Sequence, residues 1–257
     1  MVSKYGFMKM RHPVTLFCTA NLLLVVLIAV IFSLDYVPFQ LAPAILALLI
    51  TGVSKGRSGI CSLFKKVKYE WAYTKWYLFA LFAPFVFCAI SYAIFSLAEY
   101  GSLSFPNFDR PLSSFALECF IIAMGSYGEE IGWRGYLLPE LRQKHSFFSS
   151  TLIVGIIWGI WHLRIGFGLP VFVVYLTMVI ELSLIFSWLS QKTENNILSA
   201  IILHGSFNLC TLLFYSHIFM SDSSKNDLML LIYGSLVIIL ILPCLFIMKG
   251  MLFPKAR

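Results

Sequence analysis

Long apolar runs separated by short polar stretches repeat along the chain. A helix needs about 20 apolar residues to cross a hydrocarbon layer of ~30 Å, and about eight runs approach that length. They read as Pro13 to Leu34, Tyr36 to Val53, Trp76 to Ala98, a run opening near Leu112, Phe147 to Leu163, Pro170 to Leu189, Ile197 to Phe219 and Leu228 to Met248. Between the second and third lies Ser54 to Lys75, rich in lysine. Its apolar residues Ile60, Leu63, Phe64 and Val67 fall at i, i+3, i+4 and i+7, the pattern of a basic amphipathic helix on a membrane surface. The stretch Glu99 to Pro111 is polar, with Pro106 and Pro111 as breakers, and Asp35 marks a short turn. The pattern predicts an all-α polytopic membrane bundle of about eight transmembrane helices plus one interfacial helix, a single integral membrane domain over residues 1–257.

Composition agrees. Of the 257 residues, 60% are hydrophobic and 12% charged, about half the charge of a typical soluble domain. The first run is too long for a signal-peptide core, and no Ala-x-Ala-like site follows it closely. All but Cys61 of the 6 cysteines fall in apolar runs, and none forms a Cys-x-x-Cys pair, so they read as apolar fillers. The net charge of +7 does not point to nucleic acid, because the basic residues flank the spans. With a cytoplasmic N-terminus, all but Arg110, Arg164 and Lys225 of the 19 lysines and arginines fall on the inside. The positive-inside rule therefore places both termini in the cytoplasm.

Against this background three clusters of polar residues stand out. Glu129-Glu130-Ile131-Gly132-Trp133-Arg134 ends the fourth run, His162 closes Trp158-Gly159-Ile160-Trp161-His162, and His204 and Asn208 lie in the seventh. A charge at membrane depth costs at least ~2.5–3.5 kcal/mol, so such groups mark function by default. In a helix Glu130 and Arg134 share a face and can pair. Glu129 is turned about 100° away and is free to act on water as a general base. His204 and Asn208 also share a face, and two donors aimed at one point suit an oxyanion. Trp158 shares a face with His162. Counted from the nearest cytoplasmic basic residue at ~1.5 Å per residue, Glu129, His204 and His162 lie ~20, ~18 and ~26 Å deep. All three can meet near mid-membrane, His162 with the poorest fit. The groups read as one site that hydrolyses a peptide bond.

Other protease chemistries fit less well. No His-Glu-x-x-His string is present. Asp35, Asp109, Asp222 and Asp227 all lie in loops, and Gly125-Ser126-Tyr127-Gly128 is out of order for a Gly-x-Ser-Gly nucleophile. A zinc site from Glu129, His162 and His204 is chemically allowed. Two non-protease readings stay open: a non-catalytic immunity or scaffold protein of the same fold, and a proton-coupled transporter, although no matching halves are visible. Glu118 and Glu181 also lie in apolar runs, each suited to line a cavity or bond a neighbouring helix.

At these residues the chain resembles the CAAX protease and bacteriocin-processing (Abi) family of intramembrane glutamic proteases. Its motifs Glu-Glu-x-x-x-Arg, Phe-x-x-x-His and His-x-x-x-Asn correspond here to Glu129-Glu130 with Arg134, Trp158 with His162, and His204 with Asn208. Trp158 stands where phenylalanine is more usual. The resemblance covers about 112–210, the expected catalytic core. It implies an endopeptidase with no essential metal or other cofactor. Glu129 and His162 would activate water, His204 and Asn208 would form the oxyanion hole, and Glu130 and Arg134 would support them. The implied partners are a peptide or membrane-protein substrate (a prenylated tail, bacteriocin leader or pheromone) and the lipid bilayer, with no nucleic acid. The implied location is a bacterial cell membrane.

Overall fold

A computed structural model describes residues 12–32, 39–106, 111–219 and 225–252. The basic residues Lys4, Lys9, Arg11, Lys255 and Arg257, and the expected turn at Asp35, lie outside them, as does Arg110. The described residues are helical and contain no strand. The helices are α1 (Pro13–Phe32), α2 (Ala42–Phe64), α3 (Thr74–Tyr100), α4 (Leu112–Glu130), α5 (Leu138–Leu141), α6 (Phe147–Trp161), α7 (Leu169–Lys192), α8 (Leu198–Phe219) and α9 (Lys225–Leu252). A π-helical segment, Ile131–Leu137, joins α4 to α5 without a break.

Among the described residues 6 helices are long and apolar enough to cross a membrane: α1, α2, α3, α7, α8 and α9. The other two expected spans differ. At ~1.5 Å per residue, the 15 residues of α6 reach only about 22 Å of a ~30 Å layer. The start of α4 is lipid-like, with Leu117, Phe120 and Ile121 exposed, whereas every residue from Gly128 to Leu138 is buried. The acidic motif is therefore wrapped in protein, which removes the cost of facing its charges to lipid. Outward apolar residues such as Val30 on α1 and Leu242 and Phe246 on α9 give the molecule the surface of an integral membrane protein.

The expected interfacial helix over Ser54 to Lys75 is not a separate element. Its first half is the end of α2, redirected at Gly56, whose φ of 63° and ψ of −161° lie in a region open almost only to glycine. Helix then gives way to a turn and a 3-10 turn at Trp71–Tyr73. The side chain of Asn196 bonds the Lys68 carbonyl, and the Ile197 amide bonds that of Lys66 at 2.9 Å. Those bonds across the bundle hold residues 66–68 in place. Leu63 turns inward, while Phe64 is left exposed.

The core forms where α3 packs on α8 and α9, and α7 on α6 and α9. Helix α2 lies against α4 and the π segment. There Gly132 meets the start of α2 so closely that a Cβ on it would sit 2.7 Å from the Pro43 carbonyl carbon. A Cβ on Gly128 would sit 3.0 Å from the Gln40 carbonyl oxygen. These glycines let two backbones approach, as small residues do between membrane helices.

Candidate active site

Glu129 and Glu130 close the last α-helical turn of α4, and both are 0% exposed. The following π segment carries Arg134. A π stretch inserts an extra residue into the helical ladder and is frequent at functional sites. The expected pair survives it: Arg134 Nη1 donates to Glu130 Oε1 at 2.9 Å. The same oxygen lies 2.9 Å from His204 Nδ1 on α8. Glu130 thus links a guanidinium on its own strand of helix to an imidazole 74 residues away. Packing brings α8 in at Gly205, where a Cβ would lie 3.7 Å from Ser126 Oγ of α4.

Glu129 points elsewhere, as its 100° offset predicts. Its Oε2 accepts a hydrogen bond of 2.6 Å from Trp158 Nε1, and its Oε1 is buried with no hydrogen bond from the protein. Trp158 is the hub of the cluster. Its ring centroid is 5.4 Å from that of His204 and 5.8 Å from that of His162. The Arg134 guanidinium carbon lies 4.5 Å from the Trp158 ring and 5.0 Å from that of Phe186, a cation–π sandwich. The sequence pattern placed Trp158 beside His162 but carried no sign of its bond to Glu129.

His162 does not sit inside a helix. It is the C-terminal cap of α6, with φ −74° and ψ −6°, and Leu163 follows at a φ of 50°, which is rare for a bulky residue. The Nδ1 of His162 pairs with the Trp158 carbonyl at 2.8 Å. A carbonyl only accepts, so Nδ1 carries the proton and Nε2 is left with its lone pair.

His162, His204, Asn208 and Trp158 line one cavity of about 530 Å³. Asn208 is half-buried on its wall. Glu129, Glu130 and Arg134 are not on that wall; they lie behind Trp158 and His204. Glu118 lines the same cavity. Glu181 does not: it is buried at the α7–α9 contact, where the Cys244 thiol meets its carbonyl oxygen. The cavity also contains residues that the sequence pattern did not single out. Arg164 lines it, with its guanidinium carbon 5.5 Å from the Tyr175 ring, and Tyr175 lies edge-on to His162 at 5.5 Å. Only the closeness of Arg164 to His162 in the chain could have flagged it. Among the described residues no three His, Cys, Asp or Glu side chains are grouped to hold a metal ion. Glu129, His162 and His204 each have an atom committed to another partner.

One comparison with known proteins falls on the segment that carries this cluster. Residues 111–210 match the family described as type II CAAX prenyl endopeptidase Rce1-like. A protein of Methanococcus maripaludis named CAAX prenyl protease 2 is 27% identical over 135 residues. That match takes in 45% of this chain and 48% of the relative, so the chain spans about half the length of the curated relative it matches. Residues 111–210 enclose all three polar motifs and the residues that join them, and over that segment the chain is similar to the type II CAAX prenyl endopeptidases.

Proposed function

We propose that this chain is a membrane-embedded endopeptidase. In this reading it hydrolyses a peptide bond of a membrane-associated substrate held in the 530 Å³ cavity. The observation that carries the proposal is the set of groups converging there: His162, His204 and Asn208 on one wall, with Glu129 a single indole away.

Glu129 and His162 share the activation of water. His162 turns the lone pair of Nε2 to the task, since its Nδ1–H is spent on the Trp158 carbonyl. Water oxygen attacks the scissile carbonyl carbon, its proton passes to this pair, and the proton is then returned to the leaving amine as the C–N bond breaks. His204 and Asn208 donate to the carbonyl oxygen as it becomes an oxyanion. For His204 this requires a proton on Nε2 as well as on Nδ1. The Glu130 carboxylate, 2.9 Å from Nδ1, orients the ring for that role, and Arg134 holds the carboxylate in place. Each oxyanion donor in such a site is worth about 10²–10³ in rate.

The apolar and aromatic lining, with Tyr175, Met178, Leu182 and Phe207, suits a greasy or lipidated tail. A prenylated C-terminal peptide is the substrate class that the relative's name supplies. Both termini face the cytoplasm, and no metal takes part. One observation favours the alternative, a non-catalytic immunity or scaffold protein: Trp158 closes Glu129 off from the cavity. Catalysis then requires that the indole swing away when substrate enters.

The test is peptide mass spectrometry on membranes carrying the wild-type chain or Glu129→Ala, His162→Ala or His204→Ala. We expect each variant to accumulate and to lose the cleaved products. If all three retain full biological activity, the scaffold reading replaces the enzyme.

A further inference from the structure

Arg134 faces two ways. Its Nη1 is bonded to Glu130, yet it also lines a second cavity, of about 360 Å³, with Lys66, Arg142, Gln143, Ser190 and Asn195. We infer that this second cavity is a binding site for a phosphate-bearing anion, either the headgroup of an anionic lipid or free phosphate.

Three cations from three separate elements converge on it: Lys66 from the turn after α2, Arg134 from the π segment and Arg142 from the turn after α5. No carboxylate lines the cavity. The nearby acids are already engaged. Glu140 pairs with Lys55 at 2.5 Å and takes a bond from Gln143 at 2.9 Å, and Glu130 is held by Arg134 and His204. The deepest cation is the informative one. The Arg134 side chain is wholly buried, and its Nε and Nη2 make no hydrogen bond. That guanidinium is closed in between Trp158 and Phe186, so it lends the cavity positive charge from behind its wall, and the direct contacts to an anion fall to the other cations. Lys66 is half-buried and spends one N–H on the Gly135 carbonyl at 2.6 Å, which aims the ammonium and leaves two donors. Arg142 is exposed at the rim, the position from which a cation draws in an anion. Asn195 adds a neutral donor, whereas the Ser190 hydroxyl is spent on the Phe186 carbonyl at 3.0 Å. A phosphate there lies at the end of the bundle that carries the basic stretch from Lys55 to Lys68, where lipid headgroups are expected.

The test uses the full chain. In neutral detergent, inorganic phosphate is titrated against sodium chloride of equal ionic strength and Tm is followed. In parallel, the chain is placed in nanodiscs of phosphatidylcholine alone or with phosphatidylglycerol. We expect a saturable rise in Tm of at least about 2 °C from one of the two probes. Response to inorganic phosphate identifies a soluble anion, and response to phosphatidylglycerol alone identifies a lipid headgroup. Lys66→Gln and Arg142→Gln should each weaken the response tenfold or more. Arg142 is exposed, so its variant keeps the test standing should the Lys66 variant not fold. No saturable response to either probe, or an unchanged response in Arg142→Gln, overturns the site. None of these readings depends on peptidase activity.

Discussion

Trp158 donates its indole N–H to Glu129 at 2.6 Å, and the same ring lies against both imidazoles of the cluster. The residue proposed to activate water is therefore latched by an aromatic ring that also forms the cavity wall. Trp158→Phe keeps the ring and deletes the donor. Losing a bond to a charged acceptor costs about 1–3 kcal/mol, so Tm should fall. Cleavage should persist, because the ring still packs and Glu129 is released. A folded Trp158→Phe protein with no cleavage would make the N–H part of the chemistry instead.

Neighbouring carboxylates should respond differently to the same change. Glu129→Gln leaves the ion pair intact and should give a stable, inactive protein. Glu130→Gln strips the charge from a buried arginine and from the partner of His204. Breaking one side of a buried pair costs about 3–5 kcal/mol, so this variant should accumulate poorly. Thermal stability of both in the same detergent separates the roles; equal loss in the two would contradict them.

Helix contact at the glycines gives a purely steric prediction. A methyl on Gly132 meets the Pro43 backbone at 2.7 Å, and neither backbone can give way cheaply. Overpacking of this kind costs about 1–3 kcal/mol, and Gly132→Ala should lower Tm and displace Arg134. Gly234 on α9 is the control, since a Cβ there meets nothing within 4 Å. Gly234→Ala should be neutral or gain up to about 1 kcal/mol of helix propensity.

Lys66 sets a pH dependence. Burial, with Lys55 acting in the same direction and Glu140 opposing, holds its ammonium below the ordinary lysine range. Between the folded pKa and the unfolded value of about 10.4, the unfolded chain binds more protons than the folded one. Stability should then rise with pH across that window. Its cost is fully present below the folded pKa and fades as the ammonium is lost. Tm measured from neutral to alkaline pH should climb in the wild type relative to Lys66→Gln.

Chelation tests the metal-free mechanism. Glu129, His162 and His204 already bond to Trp158, the Trp158 carbonyl and Glu130, so a strong zinc chelator should leave cleavage unchanged. Loss of cleavage that added zinc restores would overturn that expectation.

By itself the sequence determined what helical and strand periodicity can reach. Apolar runs marked the helices, although α6 proved short and the interfacial helix merged into α2 at Gly56. The i, i+4 spacing determined the Glu130–Arg134 pair, and the offset of one residue sent Glu129 another way. Only the tertiary structure decided who else these groups meet. Nothing in the spacing foretold the π segment, the Trp158–Glu129 bond, the Glu130–His204 contact or the second cavity behind Arg134. The reason is geometric. Neighbours within a helix follow from its pitch, but neighbours between helices depend on how closely backbones approach. Here that approach is set by Gly132 and Gly128 against the start of α2.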